Sequence, residues 1–336
     1  MAIYHLSAQE FSRGAGHSAV AAAAYRAGER IRDERTGILH DYSHRTDVSH
    51  REILLPASLS AADCAWATQR ASLWNAAERA EQRRDARVAR EYQVALPAEL
   101  DAGQRLALVR TFARELVERH GVAIDLAVHA PRPMGDPRNH HAHLLATSRQ
   151  VTAMGLGAKA GLDMDGGERR RLGLPVGIAE IRAVRERWAA LSNEALVAAG
   201  LEVRVDHRSL RAQGIDREPT PYIPIGAIHS ERRGIRSEIA DRIRERYRER
   251  VLAREAHSRG LDPEVVRRQA REAWLQLRQQ ATLSGDSAPR RDHTKESSLS
   301  GQLAPRIPGT SHGSPDEQRR AAEAIERDAA DRDFSL

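Results

Sequence analysis

The chain has 336 residues, 40% hydrophobic and 30% charged, with a mean hydropathy of −0.59, the composition of one or two soluble domains with a real apolar core. Lys and Arg number 53 against 47 Asp and Glu, a net charge of +6, and all but two of the basic residues (Lys159 and Lys295) are arginine. The single Cys64 excludes a disulfide framework and a thiolate-rich zinc site, no apolar run approaches the ~18 residues of a membrane span, and the N-terminus lacks a signal peptide's apolar segment, so the expected location is the cytoplasm.

Residues 2–7 read as a short strand and 17–30 as an alanine-rich helix. Residues 32–47 are polar, with turn signals at Thr36-Gly37 and Asp41-Tyr42-Ser43. A strand over 51–55 ends at Pro56. Residues 60–88 carry one long helical pattern, with Trp66, Leu73, Trp74 and Ala77 along one side. An alternating strand over 91–96 ends at Pro97, and a helix follows over 101–119. Residues 122–129 and 140–148 are strand-like and are joined by a Pro- and Gly-rich connection, as in an antiparallel pair. A helix over 176–199 ends at Gly200. Mixed strands and helices with a hairpin imply an α+β domain, helices packed on a mainly antiparallel sheet. Beyond it, residues 230–280 are rich in Arg and Glu and read as exposed helices supported by i,i+4 pairs. The tail from 281 is rich in Gly, Pro and Ser and reads as largely disordered, with a short helix near 315–332 that starts at Ser314-Pro315.

The sharpest local signal is His129 followed by Asn139-His140-His141-Ala142-His143. On a strand, residues two apart face the same side, so His141 and His143 project together, and an antiparallel partner strand brings His129 to the same patch. Three imidazoles without a thiolate suit a divalent metal site with open positions. Asp125 lies on the face of His129 and is placed, with Asn139, behind the histidines as an orienting group. Tyr25 stands on the alanine helix with small residues on the preceding turn, beside Arg26. A phenol there is either core or a nucleophile for phosphodiester transfer. No Walker A loop, G-x-G-x-x-G or H-E-x-x-H occurs.

Four stretches in order, residues 1–31, 73–97, 125–149 and 205–223, resemble the MobA/MobL-type conjugative relaxases, a class that includes the N-terminal part of TraA proteins. The resemblance spans 1–235, taken as the relaxase domain, with a charged helical extension over 236–280 and the tail over 281–336. It implies the relaxase form of the HUH-endonuclease fold, with the histidines on a central antiparallel sheet. It implies metal-dependent, strand-specific nicking of single-stranded or supercoiled plasmid DNA at the origin of transfer. Tyr25 matches the nucleophile that forms a 5′-phosphotyrosine link, and reversal reseals the strand. His129, His141 and His143 match the ligands of Mg²⁺ or Mn²⁺. Glu91 is the first candidate for the assisting carboxylate and Glu78 the second; some relatives carry another acid where this chain has Gln93. Arg13, Arg26, Arg132, Arg138 and Arg149 are candidate DNA contacts. Relaxosome accessory proteins and the coupling protein of a type IV secretion channel are implied partners, and passage into a recipient cell with the DNA is an implied destination. Two other readings remain open: a replication-initiator or transposase-type nickase of the same fold, and a non-catalytic DNA-binding protein. Similar proteins often continue into a helicase or primase region; no nucleotide-binding loop follows residue 235.

Overall fold

The structure is a computed structural model that describes residues 3–60, 62–131 and 136–260, with scattered positions up to 276. The expected tail and its helix near 315–332, and Arg132, lie outside the described residues. The chain forms two compact units, one closing at Arg208 and the other beginning at Ser209.

In chain order the first unit contains β1 (Leu6–Ser12), α1 (Ala19–Ala27), β2 (Arg30–Arg32), β3 (Leu39–Asp41), β4 (Val48–Leu54), α2 (Ala65–Thr68), α3 (Arg70–Arg79), β5 (Arg87–Ala95), α4 (Ala102–His120), β6 (Ile124–His129), β7 (His141–Thr147), β8 (Arg149–Thr152), β9 (Gly155–Lys159), α5 (Gly166–Arg171) and α6 (Gly177–Ala198). Five strands form the central sheet in the order β1-β5-β7-β6-β4, and every neighbouring pair is antiparallel. The chain is therefore an α+β domain with a central antiparallel sheet. The period-2 alternation sorts side chains between two covered faces. Leu6, Val94, Leu126, Val128, Ala142 and Leu144 enter a core closed by α4 and α6, where Phe112 packs 5.0 Å from Trp188. Phe11, Ala89 and Leu145 enter a second core under α1 and α3, with Trp74 buried among the alanines of α1. The histidines occupy this second face.

Several expected elements have different bounds. The first strand begins at Leu6 rather than at residue 2 and continues to Ser12, because its pairing with β5 runs from Leu6–Val94 to Phe11–Ala89 and on to Ser12–Arg87. The long helix expected over 60–88 is two shorter ones. Gln69 between them is extended (φ −104°, ψ 122°), and the α3 end is drawn into a turn where Arg13 bonds the carbonyls of Glu78, Glu81 and Arg83. Within 32–47, the turn at Gly37 (φ 73°) joins the hairpin β2–β3, and a second unexpected hairpin, β8–β9, follows β7.

The second unit contains α7 (Ile225–Arg232) and α8 (Glu238–Ser258). Ser237 caps α8 by accepting from the Ala240 amide. Only Ala240 and Ala256 are buried along α8, and Arg244 forks onto Glu231 of α7 at 2.5 and 2.7 Å. This is the exposed, charge-paired helix that the Arg/Glu pattern describes.

Candidate active site

Register builds the histidine cluster. His129, the last residue of β6, lies opposite His141, the first of β7, and His143 follows two positions along on the same face. The three ring centroids stand 4.7 to 5.3 Å apart, and one nitrogen from each ring falls within 4.8 Å of the others. All three residues are buried. Hydrogen bonds set their tautomers. His143 gives Nδ1–H to Glu91 at 2.9 Å and His141 gives Nδ1–H to the Asn139 carbonyl at 3.1 Å, so each presents Nε2. His129 gives Nε2–H to the Arg26 carbonyl at 2.7 Å and presents Nδ1, which lies 3.4 Å from Arg45 Nη2. Burial pushes the pKa of His129 well below the ordinary imidazole value, and repulsion from the other two histidines adds to this. Burial lowers His143 as well, against the pull of Glu91. His129 and His143 are therefore held neutral, and with His141 they form a set of convergent nitrogen donors, the arrangement a divalent ion requires. Gln93, opposite His143 on β5, adds beside it a buried Oε1 that has no hydrogen-bond partner among the described residues. These donors fit a divalent metal.

Tyr25 sits in the last turn of α1, which ends at Gly28 in the left-handed region (φ 61°). Its ring is 7% exposed and meets Tyr42 edge-on at 5.1 Å, and its hydroxyl makes no hydrogen bond to a described residue. The Arg45 guanidinium lies 4.1 Å over the ring and donates to the Tyr25 carbonyl at 2.9 Å, while Asp47 holds the same guanidinium at 2.9 Å. Arg45 and the Arg26 carbonyl thus tie the tyrosine end of α1 to His129. The polar reading of residues 32–47 gave no hint of Arg45 or Tyr42. The one available signal is the alternation Arg45-Thr46-Asp47, which sends an arginine and its counter-ion to one side of an extended chain.

The carboxylates and arginines are engaged with one another. Arg26 is 3% exposed and its fork grips both oxygens of Glu91, itself 1% exposed. Burial would raise the Glu91 carboxyl, but Arg26 and His143 hold it well below the usual carboxylate range. Glu78 accepts from the Ala19 amide at the start of α1 (2.8 Å) and from Arg13 (2.9 Å). Arg13 and Arg26, expected as DNA contacts, are both folded inward onto acids 65 residues away, which no local pattern announces. Asp125, expected behind the histidines, instead takes the Arg70 fork at 2.7 and 2.8 Å and the Trp74 indole N–H at 2.9 Å and so anchors α3; among the described residues it bonds no imidazole. Asn139 does orient one, through its backbone carbonyl. Arg138 is exposed and paired with Asp136, and Arg149 bonds Glu81 at 2.7 Å.

Residues 17–233 match the MobA/MobL family. The "Mobilization protein MobL" of Acidithiobacillus ferridurans is 38% identical over 295 residues, covering 79% of this chain and 75% of the relative. The "Conjugal transfer protein TraA" of Agrobacterium fabrum is 34% identical over 258 residues, covering 71% of this chain; the match spans only 23% of that relative's length. A solved structure described as "Molecular Basis of Vancomycin Resistance Transfer in Staphylococcus aureus" is 30% identical with a TM-score of 0.52, covering 62% of this chain and 99% of that one. With the family match extending over most of the chain and the histidine-bearing antiparallel sheet as its frame, this protein belongs to the MobA/MobL family.

Proposed function

We propose that the chain is a DNA relaxase, a transesterase that nicks and reseals one strand of plasmid DNA at an origin of transfer. The observation that carries this reading is the docking of the tyrosine end of α1 on three convergent imidazoles, through the Arg26 carbonyl and Arg45. The names of the relatives, mobilisation and conjugal transfer proteins, point the same way. In this reading the relaxase domain comprises residues 1–235, the charged extension 236–280 offers a surface to accessory or coupling proteins, and the protein works where plasmid DNA is, in the bacterial cytoplasm.

Tyr25 is the nucleophile. Its phenol releases a proton, its oxygen bonds the phosphorus, and the P–O bond to the 3′ oxygen breaks in line. That oxygen takes up a proton and leaves as a hydroxyl. One P–O bond replaces another, so resealing is the same step reversed. Arg45 fixes the phenol ring and the end of its helix. His129, His141 and His143 would hold a divalent ion, which supplies Lewis-acid polarisation of the phosphate oxygens. Glu91 keeps the His143 ring in the tautomer that offers Nε2, a positioning role that suits its low pKa better than proton transfer. Glu78 anchors α1. Mg²⁺ prefers oxygen ligands, so of the two ions expected from sequence the three nitrogens favour Mn²⁺.

The test is incubation with a supercoiled plasmid carrying the neighbouring origin region and Mn²⁺, followed by detergent and protease. A nicked circle with protein on its 5′ end, lost with a chelator and with Tyr25→Phe, is the expected result. Adduct formation by Tyr25→Phe would remove the nucleophile assignment. Salt-sensitive binding without nicking, of a preformed single-stranded origin as well, would favour the non-catalytic reading.

A further inference from the structure

At the other end of α1 from Tyr25, the loop that enters the helix, the β2–β3 hairpin and the segment after α3 enclose a cleft of about 480 Å³, lined among others by His17, Ser18, Arg35, Ile38, His40 and Arg84. That volume lies within the ~300–1,000 Å³ typical of small-molecule sites. The cleft has one carboxylate on its wall, and it is turned into the fold: Asp33 is fully buried, accepting the amides of Arg35 and Thr36 on Oδ1 and the Ser18 hydroxyl on Oδ2. Arg13, also on the wall, is held by Glu78 and backbone carbonyls. Two cations remain for a ligand. Arg84 is exposed and makes no hydrogen bond or ion pair with a described residue, and the Arg35 side chain, 41% exposed, meets among the described residues the Glu78 carboxylate at 3.3 Å, which Arg13 shares.

The rest of the lining is chemically different. His17 accepts the Ser12 amide on Nδ1, so its proton lies on Nε2 as a donor. His40 keeps Nε2 buried without a hydrogen-bond partner among the described residues. Burial lowers the His40 pKa, against the pull of Asp33. Ile38 adds an apolar side. Guanidinium forks for a phosphate, together with flat imidazoles and an aliphatic wall for a ring, form a set of contacts that suits a nucleotide. Inorganic phosphate alone would leave the ring side of the cleft unfilled.

We propose that this cleft is a binding subsite for one nucleotide of the single-stranded substrate. The proposal rests on the relaxase reading for the identity of the strand. Ser18, on the wall of the cleft, and Tyr25 stand at the two ends of α1, seven residues and ~10 Å of helix rise apart. In this subsite Arg35 and Arg84 contact the nucleotide's phosphate, and the base lies against Ile38 and the imidazoles.

Two measurements on the full chain test this. The first follows the ring signals of His17 and His40 by nuclear magnetic resonance during titration with deoxyadenosine monophosphate, in the wild type and in the double variant Arg35→Ala/Arg84→Ala. The signals shift in the wild type and stay put in the double variant. The second uses a single-stranded oligonucleotide from the origin region. The double variant raises Kd about tenfold and reduces the salt dependence of binding by about one unit of slope per arginine. It leaves the Mn²⁺ affinity of the histidine cluster unchanged. Arg84→Ala alone, which removes no pairing within the described fold, gives part of the same change and guards against loss of folding. Unchanged oligonucleotide affinity and salt slope in both variants would overturn the subsite, as would nucleotide titration that moves neither histidine. The two readings fail separately. A wild type that forms the Tyr25 adduct while the cleft is silent sinks the subsite alone. A wild type without adduct whose His17 and His40 respond to the nucleotide keeps a nucleotide cleft and removes the relaxase reading.

Discussion

At the scale of single residues, the Arg26–Glu91 pair decides how the site is built. Two opposite charges almost wholly out of water are tolerated only because the guanidinium fork satisfies both carboxylate oxygens and His143 donates a further bond to one of them. Glu91→Gln leaves Arg26 buried without a counter-charge and is expected to lower stability by about 3–5 kcal/mol. It also loosens the His143 tautomer, with an expected loss of about 10–100-fold in Mn²⁺ affinity. The apolar double variant Arg26→Met/Glu91→Leu should recover most of the stability but not the metal affinity. Urea unfolding and metal titration of the three proteins separate these effects; full metal affinity in the double variant would show that Glu91 does not position His143. Arg45 gives a second case. Arg45→Lys keeps the charge but loses the planar fork that reaches the Tyr25 carbonyl and Asp47 together. The expected result is a fall of at least about tenfold in single-turnover nicking, roughly 1.4 kcal/mol of barrier, with oligonucleotide Kd unchanged. Equal nicking by the Arg45→Lys variant and the wild type would reduce Arg45 to packing. The histidines were legible in the sequence because strand periodicity is local. The fates of Arg13, Arg26 and Asp125 were not, because their partners Glu78, Glu91 and Arg70 lie 55 to 65 residues away in sequence.

At the scale of elements, α1 is the piece that brings nucleophile and cluster together. Nine residues, even alanine-rich, are too short for a stable helix in isolation. Its order comes from its ends: Ser18 accepts the Ala21 amide, Glu78 accepts the Ala19 amide, and Gly28 closes the last turn with a left-handed backbone. A Cβ at position 28 would meet Val48 Cγ2 at 3.2 Å and Arg45 Cβ at 3.4 Å, in addition to the backbone strain. Gly28→Ala is therefore expected to destabilise by about 1–2 kcal/mol from the backbone alone, and to displace Arg45 from the Tyr25 ring. Thermal unfolding and the nicking assay check both parts. A variant as stable and as active as the wild type would mean that the turn relaxes without disturbing the site. The helix is readable from its alanine content, a local signal, but the expected span of 17–30 runs past Gly28, where the left-handed backbone stops it. The break at Gln69 and the hairpins β2–β3 and β8–β9 were not. Three- to five-residue strands offer too few alternations to register, and Gln69 carries no turn chemistry of its own.

At the scale of the whole molecule, many arginines pair with acids within the fold, and the domain with the histidine sheet holds both apolar cores. Along α8, by contrast, only two alanines are buried, and the helix is laced by ion pairs such as Arg244–Glu231 and Arg250–Glu218 that are exposed to solvent and of small net worth. Burial of apolar surface supplies the main favourable term in folding, so stability and chemistry should both reside in the first part of the chain. A protein ending at residue 235 is expected to unfold within a few degrees of the full chain. It should keep the Mn²⁺-induced rise in melting temperature that any ligand of the native state produces, about 2.7 kcal/mol at a hundredfold excess over Kd. It should also nick a preformed single-stranded origin at the full-length rate. The same rise should vanish in His141→Ala/His143→Ala, which separates binding at the cluster from general ionic effects. If the shortened protein melts far lower or loses the metal response, then the charged helices stabilise the histidine domain. In that case their exposed arginines serve the fold rather than a partner or the DNA.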